Sequence, residues 1–298
     1  MGRARLIAVD WGTSSLRGAL LDDTGKVLDE KSAPLGILNV PDGDFAGTFA
    51  AQFSEWMHEA GSLCLISGMA GSRQGWQEAP YVPCPAGLDE VTQALHWIEP
   101  GHIAIVPGLS VEQGGVPDVM RGEEVQIFGA LRLTGIADGL FVLPGTHNKW
   151  VTVRDGRVTG FRTYMTGEIY GLLRQNSILS RTMDAAARLD DAAFRQGLRR
   201  ATGGEGLLHA LFGVRALALF GRLSPAASAS YLSGLLIGEE LRTQPLEKGQ
   251  DVVLIGAPAL TTRYALALSS AGVKTKTLGA EATWAGLHGL HSAIGAKA

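Results

Sequence analysis

The chain has 298 residues, enough for one large domain or two of ordinary size. With 46% hydrophobic and 18% charged residues and 40 glycines, it has the balance of a globular α/β protein rich in tight turns, which excludes a disordered or fibrous chain. A formal net charge of −3 argues against a nucleic-acid partner, and no apolar run reaches the ~18 residues that span a bilayer, which argues against a membrane one.

The N-terminus shows no apolar segment with a small-residue cleavage site, so a cytoplasmic location is expected. Residues 5–10 predict a buried strand and 15–21 its partner. "DDTG" (22–25) predicts a turn in which Gly25 supplies positive φ, and 26–32 a third strand, which completes a β-meander. Helical spacing of Phe49, Phe53, Trp56 and Met57 predicts a helix over 45–60 with these residues in the core. "LCLISGMAGS" (63–72) reads as a buried strand running into a glycine loop. The two cysteines, Cys64 and Cys84, are too few for a disulfide framework and are expected as free thiols. "HIAIVPGLS" (102–110) reads as a strand ending in a loop, and 123–133 as a helix. Strands are expected at 140–143, 149–153 and 157–164, then mostly helix over 168–220 with a break at Gly203, Gly204 and Gly206. A helix over 226–242, a strand and glycine turn over 251–260, and helices over 262–271 and 281–294 complete the chain. Strands alternate with helices but include hairpins, so the class is mixed α/β rather than a simple parallel winding.

The segment "FVLPGTHNKWVTVRDGRV" (141–158) repeats the pattern of "AVDWGTSSLRGALLDDTGKV" (8–27). Gly145-Thr146 falls on Gly12-Thr13, each with an apolar strand before, an alternating strand after, and an Asp/Gly turn beyond. Two unrelated hairpins are the other reading. Consecutive backbone N–H groups in such a turn form a concave donor surface for an anion. Glycine lets the chain approach a phosphate closely, and Thr13, Ser14 and Thr146 add hydroxyl donors. Asp10 aligns with Leu143. A carboxylate beside phosphates is repulsive unless a metal intervenes, so Asp10 is read as serving Mg²⁺ directly or through water, and the second turn as metal-free. A strand-end turn former is the alternative for Asp10. His147 and Lys149 offer charge to phosphate instead. In "LIGAPAL" (254–260), a strand, a glycine turn and a helix start, Gly256 and Ala257 leave room for a flat ring against the backbone, with Leu260 beside it.

Two phosphate meanders followed by a glycine-turn element resemble the actin/Hsp70/sugar-kinase superfamily. Within it the chain resembles the 2-dehydro-3-deoxygalactonokinase family over nearly its whole length. The resemblance is carried by "AVDWGTSSLR" (8–17), "SGMAGSRQGWQEAPYVPCPA" (67–86), "VMRGEEVQIFGA" (119–130), "LPGTHNKW" (143–150), "FRTYMTGEIYGLL" (161–173), "YLSGLLIGEE" (231–240) and "GAPALTTRYALAL" (256–268). It implies an α/β fold of two ribonuclease H-like domains, near 1–118 and 119–298, with ATP in the cleft between them. The C-terminal helix is expected to pack back toward the first domain. It also implies ATP- and Mg²⁺-dependent phosphorylation of the 6-hydroxyl of 2-dehydro-3-deoxy-D-galactonate, a small-molecule substrate, with a homo-oligomer left open.

Related sugar kinases place an acid at the N-terminus of the helix before the second phosphate hairpin. "RGEE" (121–124) stands there, so the resemblance makes Glu123 the catalytic base, with Glu124 as the neighbouring choice. The alternative is that both acids favour the helix dipole by ~0.3–1 kcal/mol. The implied carboxylate of the substrate calls for a cation. Arg73, next to Ser72, is the first choice, with Arg121 and Arg162 as alternatives. Glu168 either binds sugar hydroxyls or caps the following helix. A nucleotide phosphohydrolase and an ATP-switched binding protein of the same fold are the competing functions.

Overall fold

The computed structural model describes residues 5–58, 62–184 and 186–296. Its strands are β1 (Leu6–Trp11), β2 (Leu16–Leu21), β3 (Val27–Ala33), β4 (Leu63–Gly68), β5 (Tyr81–Pro83), β6 (His96–Glu99), β7 (Ile103–Ile105), β8 (Gly108–Gln113), β9 (Val116–Met120), β10 (Gly139–Leu143), β11 (Asn148–Arg154), β12 (Arg157–Tyr164), β13 (Asp251–Ile255) and β14 (Lys274–Leu278). The helices are α1 (Phe45–Met57), α2 (Leu88–Gln93), α3 (Glu123–Thr134), α4 (Thr166–Asn176), α5 (Asp191–Ala201), α6 (Leu207–Leu219), α7 (Pro225–Arg242), α8 (Pro258–Ser270) and α9 (Glu281–Gly295).

The duplication read from the two turns reappears in the sheets. One runs β3-β2-β1-β4-β7-β6 and another β12-β11-β10-β13-β14, so each meander is followed by the same neighbour in the same place. β1 is antiparallel to β2 and parallel to β4. A third, three-stranded sheet, β5-β8-β9, has no counterpart. The strand expected to end in a loop over 102–110 is β7, but the expected loop runs on into β8, which turns into β9 through Gly114 and Gly115 at φ 59° and 78°. Such a two-residue turn needs positive φ at both positions, which glycine gives without strain. The helix expected from 262 begins at Pro258, where proline's missing N–H costs nothing. α1 ends at Met57, and residues 59–60 of the expected helix lie outside the described residues.

The chain divides into two compact units, Met1–Phe141 with Val151–Arg162 and Leu278–Ala298, and Val142–Trp150 with Thr163–Thr277. This is a division by compactness, and it leaves the boundary implied near 118/119 as an expectation. α3 stays with the first unit because it lies along α9, and α9 also packs on β1 and β4, as expected for the C-terminal helix. The two helix backbones touch: a Cβ on Gly129 would fall 1.7 Å from the Ala282 carbonyl oxygen, and one on Gly286 1.9 Å from that of Val125. Phe49, Phe53 and Trp56 of α1 are core residues, packed with Trp11, Val9 and Ile66. Both cysteines are free thiols; burial pushes the Cys84 thiol up to about 11 and that of Cys64 higher still, which leaves them unreactive. In the second unit α7 is buried along most of its length, with α5 and α6 packed on it, and its acid Glu240 is only 2% exposed. Among the described residues no helix is long and apolar enough to cross a membrane.

Candidate active site

In the first unit the site is built where β1, β4 and the head of α3 end together. Asp10 stands opposite Arg17 across the hairpin and beside Ser67 on β4, and its carboxylate pairs with the Arg17 guanidinium. The next turn closes with the Gly12 N–H donating to the Ser15 carbonyl at 2.9 Å and leaves Thr13 and Ser14 exposed. It is braced from behind by the N–H groups of Ile37 and Leu38, which donate to the carbonyls of Gly12 and Thr13. Gly68, at φ 93°, has no room for a side chain: a Cβ would come 2.8 Å from the Trp11 oxygen and 3.3 Å from Asp10 Oδ1. Gly122, at φ 102°, in turn places its own Cβ direction 3.2 Å from Gly68 Cα. Bare backbone therefore brings the α3 acids to the strand end that carries Asp10.

The two acids differ. Glu123 is half-buried and its carboxylate accepts the Arg121 N–H at 3.0 Å. Glu124 is fully buried, and both its oxygens accept the Gly122 N–H, at 2.9 and 2.7 Å. Burial first, then the Glu123 charge, pushes the Glu124 carboxyl up to about 8 in spite of those bonds.

Arg121 is 9% exposed, stacks 4.3 Å above the Tyr81 ring and donates from Nη2 to the Ala79 carbonyl at 2.7 Å. Its Nε and Nη1 are buried without a hydrogen-bond partner, as are Ser67 Oγ and Ser72 Oγ. A buried cation with unpaired donors is costly until an anion meets it. Arg73 is not brought into this group: its side chain is 87% exposed and lies 3.7 Å from Glu78. Arg162 is also outside it, exposed and donating to Gln113 at 3.4 Å.

For Mg²⁺ the residues present fit. Among the described residues no group of three or more His, Cys, Asp or Glu side chains forms a protein cage. This ion commonly uses a single carboxylate when phosphates and water complete its octahedron, and Asp10, now paired with Arg17, is the carboxylate that would hold it.

In the second unit the turn after β10 is held from three sides. The Gly145 N–H donates to Asn148 Oδ1 at 2.7 Å, and the Glu168 N–H at the head of α4 donates to the Thr146 carbonyl at 2.9 Å. Gly167 lies directly on the turn, where a Cβ would stand 2.0 Å from the Gly145 oxygen. The His147 ring pairs with the Glu168 carboxylate. Lys149 is buried and its ammonium donates to Thr163 Oγ1 at 2.7 Å, while side-chain alternation turns Asn148 and Trp150 to the other face of β11. Gly256, just after β13, would place a Cβ 3.3 Å from the Pro144 oxygen, so the glycine turn before Ala257, the N-cap of α8, lies against the start of the Gly145 turn. Leu260 joins Gly145, Asn148, Thr166 and Gly167 around a cavity of about 40 Å³. Beneath the turn, the Glu240 carboxylate accepts from the Asn148 amide, the Trp150 indole, the Thr166 hydroxyl and the Tyr264 hydroxyl.

A sequence profile of the family described as 2-keto-3-deoxy-galactonokinase matches residues 10–290, from Asp10 into α9. The chain belongs to the 2-dehydro-3-deoxygalactonokinase family. It is 34% identical over 294 residues to the 2-dehydro-3-deoxygalactonokinase of Escherichia coli, covering 98% of this chain and 99% of that protein. It is 37% identical over 295 residues to a probable 2-dehydro-3-deoxygalactonokinase of Rhizobium meliloti, covering 96% of each. A crystal structure of a candidate 2-dehydro-3-deoxygalactonokinase protein from Sinorhizobium meliloti superposes with a TM-score of 0.89 at 36% identity, over 98% of this chain and 99% of that one. The fold is the two-domain α/β fold of the actin/Hsp70/sugar-kinase superfamily, to which 2-dehydro-3-deoxygalactonokinases belong.

Sequence reasoning missed Glu240, Asn148 and Tyr264. The one signal for Glu240 was an acid in the otherwise apolar "SGLLIGEEL" run. Its partners stand 24 to 92 residues away, which no local pattern connects.

Proposed function

We propose that this chain is the ATP-dependent kinase that phosphorylates 2-dehydro-3-deoxy-D-galactonate on its 6-hydroxyl, releasing ADP, in galactonate breakdown. The observation that carries the reading is the meeting, in the second unit, of the Gly145 turn and the Gly256 turn, in a chain that matches the kinase family along residues 10–290. The cytoplasm, where ATP and a small sugar acid are both present, is the compartment this reading implies.

Roles follow from chemistry. The backbone donors of Gly145 and Thr146, with His147, take nucleotide phosphate, and Lys149 adds positive charge behind the turn. Gly256, Ala257 and Leu260 take the adenosine. In the first unit the backbone and hydroxyls of the Gly12-Thr13-Ser14 turn offer donors to phosphate. Mg²⁺, held through Asp10, neutralises phosphate charge when bound. Glu123 orients the sugar hydroxyl and takes its proton late in transfer. Arg121 pairs with the substrate carboxylate, which satisfies the buried donors left open on its guanidinium, and Ser72 adds a hydroxyl. Arg73 is the solvated alternative for that carboxylate, and Glu168 takes a sugar hydroxyl or serves the turn alone.

ADP release measured with and without the keto-deoxy sugar acid tests the function. A kinase releases ADP in step with acceptor phosphorylation. Equal release without acceptor would make the chain a phosphohydrolase, and slow turnover in both would make it a nucleotide-switched binding protein.

A further inference from the structure

Four of the segments that carry the family resemblance, 143–150, 161–173, 231–240 and 256–268, meet at one buried carboxylate. Glu240, 2% exposed, accepts from Asn148 Nδ2 at 2.8 Å, from Tyr264 Oη at 2.8 Å, and from Trp150 Nε1 and Thr166 Oγ1. Burial, then the Glu240 charge, keeps the Tyr264 hydroxyl protonated well above its ordinary range, so it donates to Glu240 and accepts from Asn148. Both protons of the Asn148 amide are thereby committed, one to Glu240 and one to Tyr264. A flipped amide would aim its carbonyl at the carboxylate. One orientation remains, with Oδ1 on the Gly145 N–H at 2.7 Å.

We propose that Glu240 is a positioning residue for the nucleotide: through the Asn148 amide it fixes the Gly145 peptide and so sets the shape of the turn that receives ATP phosphate. The proposal rests on the reading of Gly145-Thr146 as a phosphate turn.

The test measures ATP KM, sugar-acid KM and kcat for E240Q, N148A, the double variant and G145A, with thermal melting to confirm folding. The side-chain amide introduced by E240Q turns an NH₂ toward at least one of the donors, so the Asn148 amide loses its single orientation. E240Q and N148A are each expected to raise the ATP KM about tenfold, with kcat at saturating ATP and sugar-acid KM within about threefold. The double variant is expected to be no worse than the poorer single, because both act through one hydrogen bond. A folded E240Q with ordinary ATP KM, or additive effects in the double, overturns the proposal. If E240Q does not fold, N148A decides on the same criterion, since it leaves Glu240 its other three donors. G145A separates the two readings, because its Cβ meets nothing nearer than the His147 oxygen at 3.9 Å. An unchanged ATP KM in G145A overturns the phosphate-turn reading itself. A raised one in G145A without an effect in E240Q or N148A overturns the role of Glu240 alone.

Discussion

Adjacent on the first turn of α3, Glu123 is half-buried, while Glu124 is sealed against the Gly122 N–H. E123Q is therefore expected to lower kcat by ~10²–10⁴ with little change in either KM, in initial-rate assays at saturating ATP. E124Q should be far milder in that assay, because its amide still accepts from Gly122. It should differ in pH dependence. The folded-state pKa of Glu124, about 8, lies above the ordinary 4.5, so the folded protein retains a proton that the unfolded chain gives up. Stability from this group is full below about 4.5 and is lost as pH rises toward about 8. Melting temperatures of the parent should fall relative to E124Q across that window; parallel curves would remove the buried-acid account. For the substrate carboxylate, R121K should raise the sugar-acid KM about tenfold, since an ammonium cannot reproduce the planar fork, while R73A should leave both KM values near the parent's. The reverse pattern would return the carboxylate to Arg73. The "RGEE" segment could be proposed as a site from the sequence because of its place before the second hairpin. Which of its acids is sealed, and whether Arg73 or Arg121 is buried, depends on Tyr81, Ala79 and Gly68, whose packing no local spacing reveals.

At the level of elements, the turns were readable because their chemistry is local. Asp10 followed by Gly12-Thr13, and Gly145-Thr146 before an alternating strand, announced two hairpins. The repeated sheet orders carry that symmetry further than the sequence could. The β8–β9 hairpin also carried its signal, Gly114-Gly115 between alternating residues, but no strand was assigned on either side of it. Contact between α3 and α9 was not readable in detail, because it depends on two glycines separated by more than a hundred residues. It makes a direct prediction. G286A would drive a methyl into the Val125 carbonyl, 1.9 Å away, so the helices must part. A loss of roughly 1–3 kcal/mol in urea-unfolding free energy is expected, the usual cost of overpacking. Since α3 carries Glu123, kcat should fall as well. A G286A protein as stable as the parent would show that the helices separate freely.

For the whole molecule, the sequence carried the fold class and the duplication, because a repeated meander is visible as a repeated pattern. Compactness draws a different line from the repeat, since residues 278–298 return to the unit that begins the chain. Removing residues 278–298 would strip Trp284, Leu287 and Leu290 from that unit, with the hydrogen bond from the Trp284 indole to Glu30 at 2.9 Å. Each large buried side chain is worth about 1.5–3 kcal/mol, and net stability is only about 5–15 kcal/mol. The truncated protein should lose the first unit's share of the near-ultraviolet circular dichroism and of the urea transition, while the second unit, intact in residues up to 277, keeps its own; a first unit that unfolds at the parent's midpoint would contradict this. The interleaving also bears on how the chain is born. A nascent polypeptide that has left the ribosome as far as Thr277 holds every residue of the second unit, while β1 and β4, made long before, still lack the helix that covers them. Order of completion runs opposite to order of synthesis, so protease resistance on stalled ribosomes should arise in the later-made unit first, and the earliest strands depend longest on chaperones.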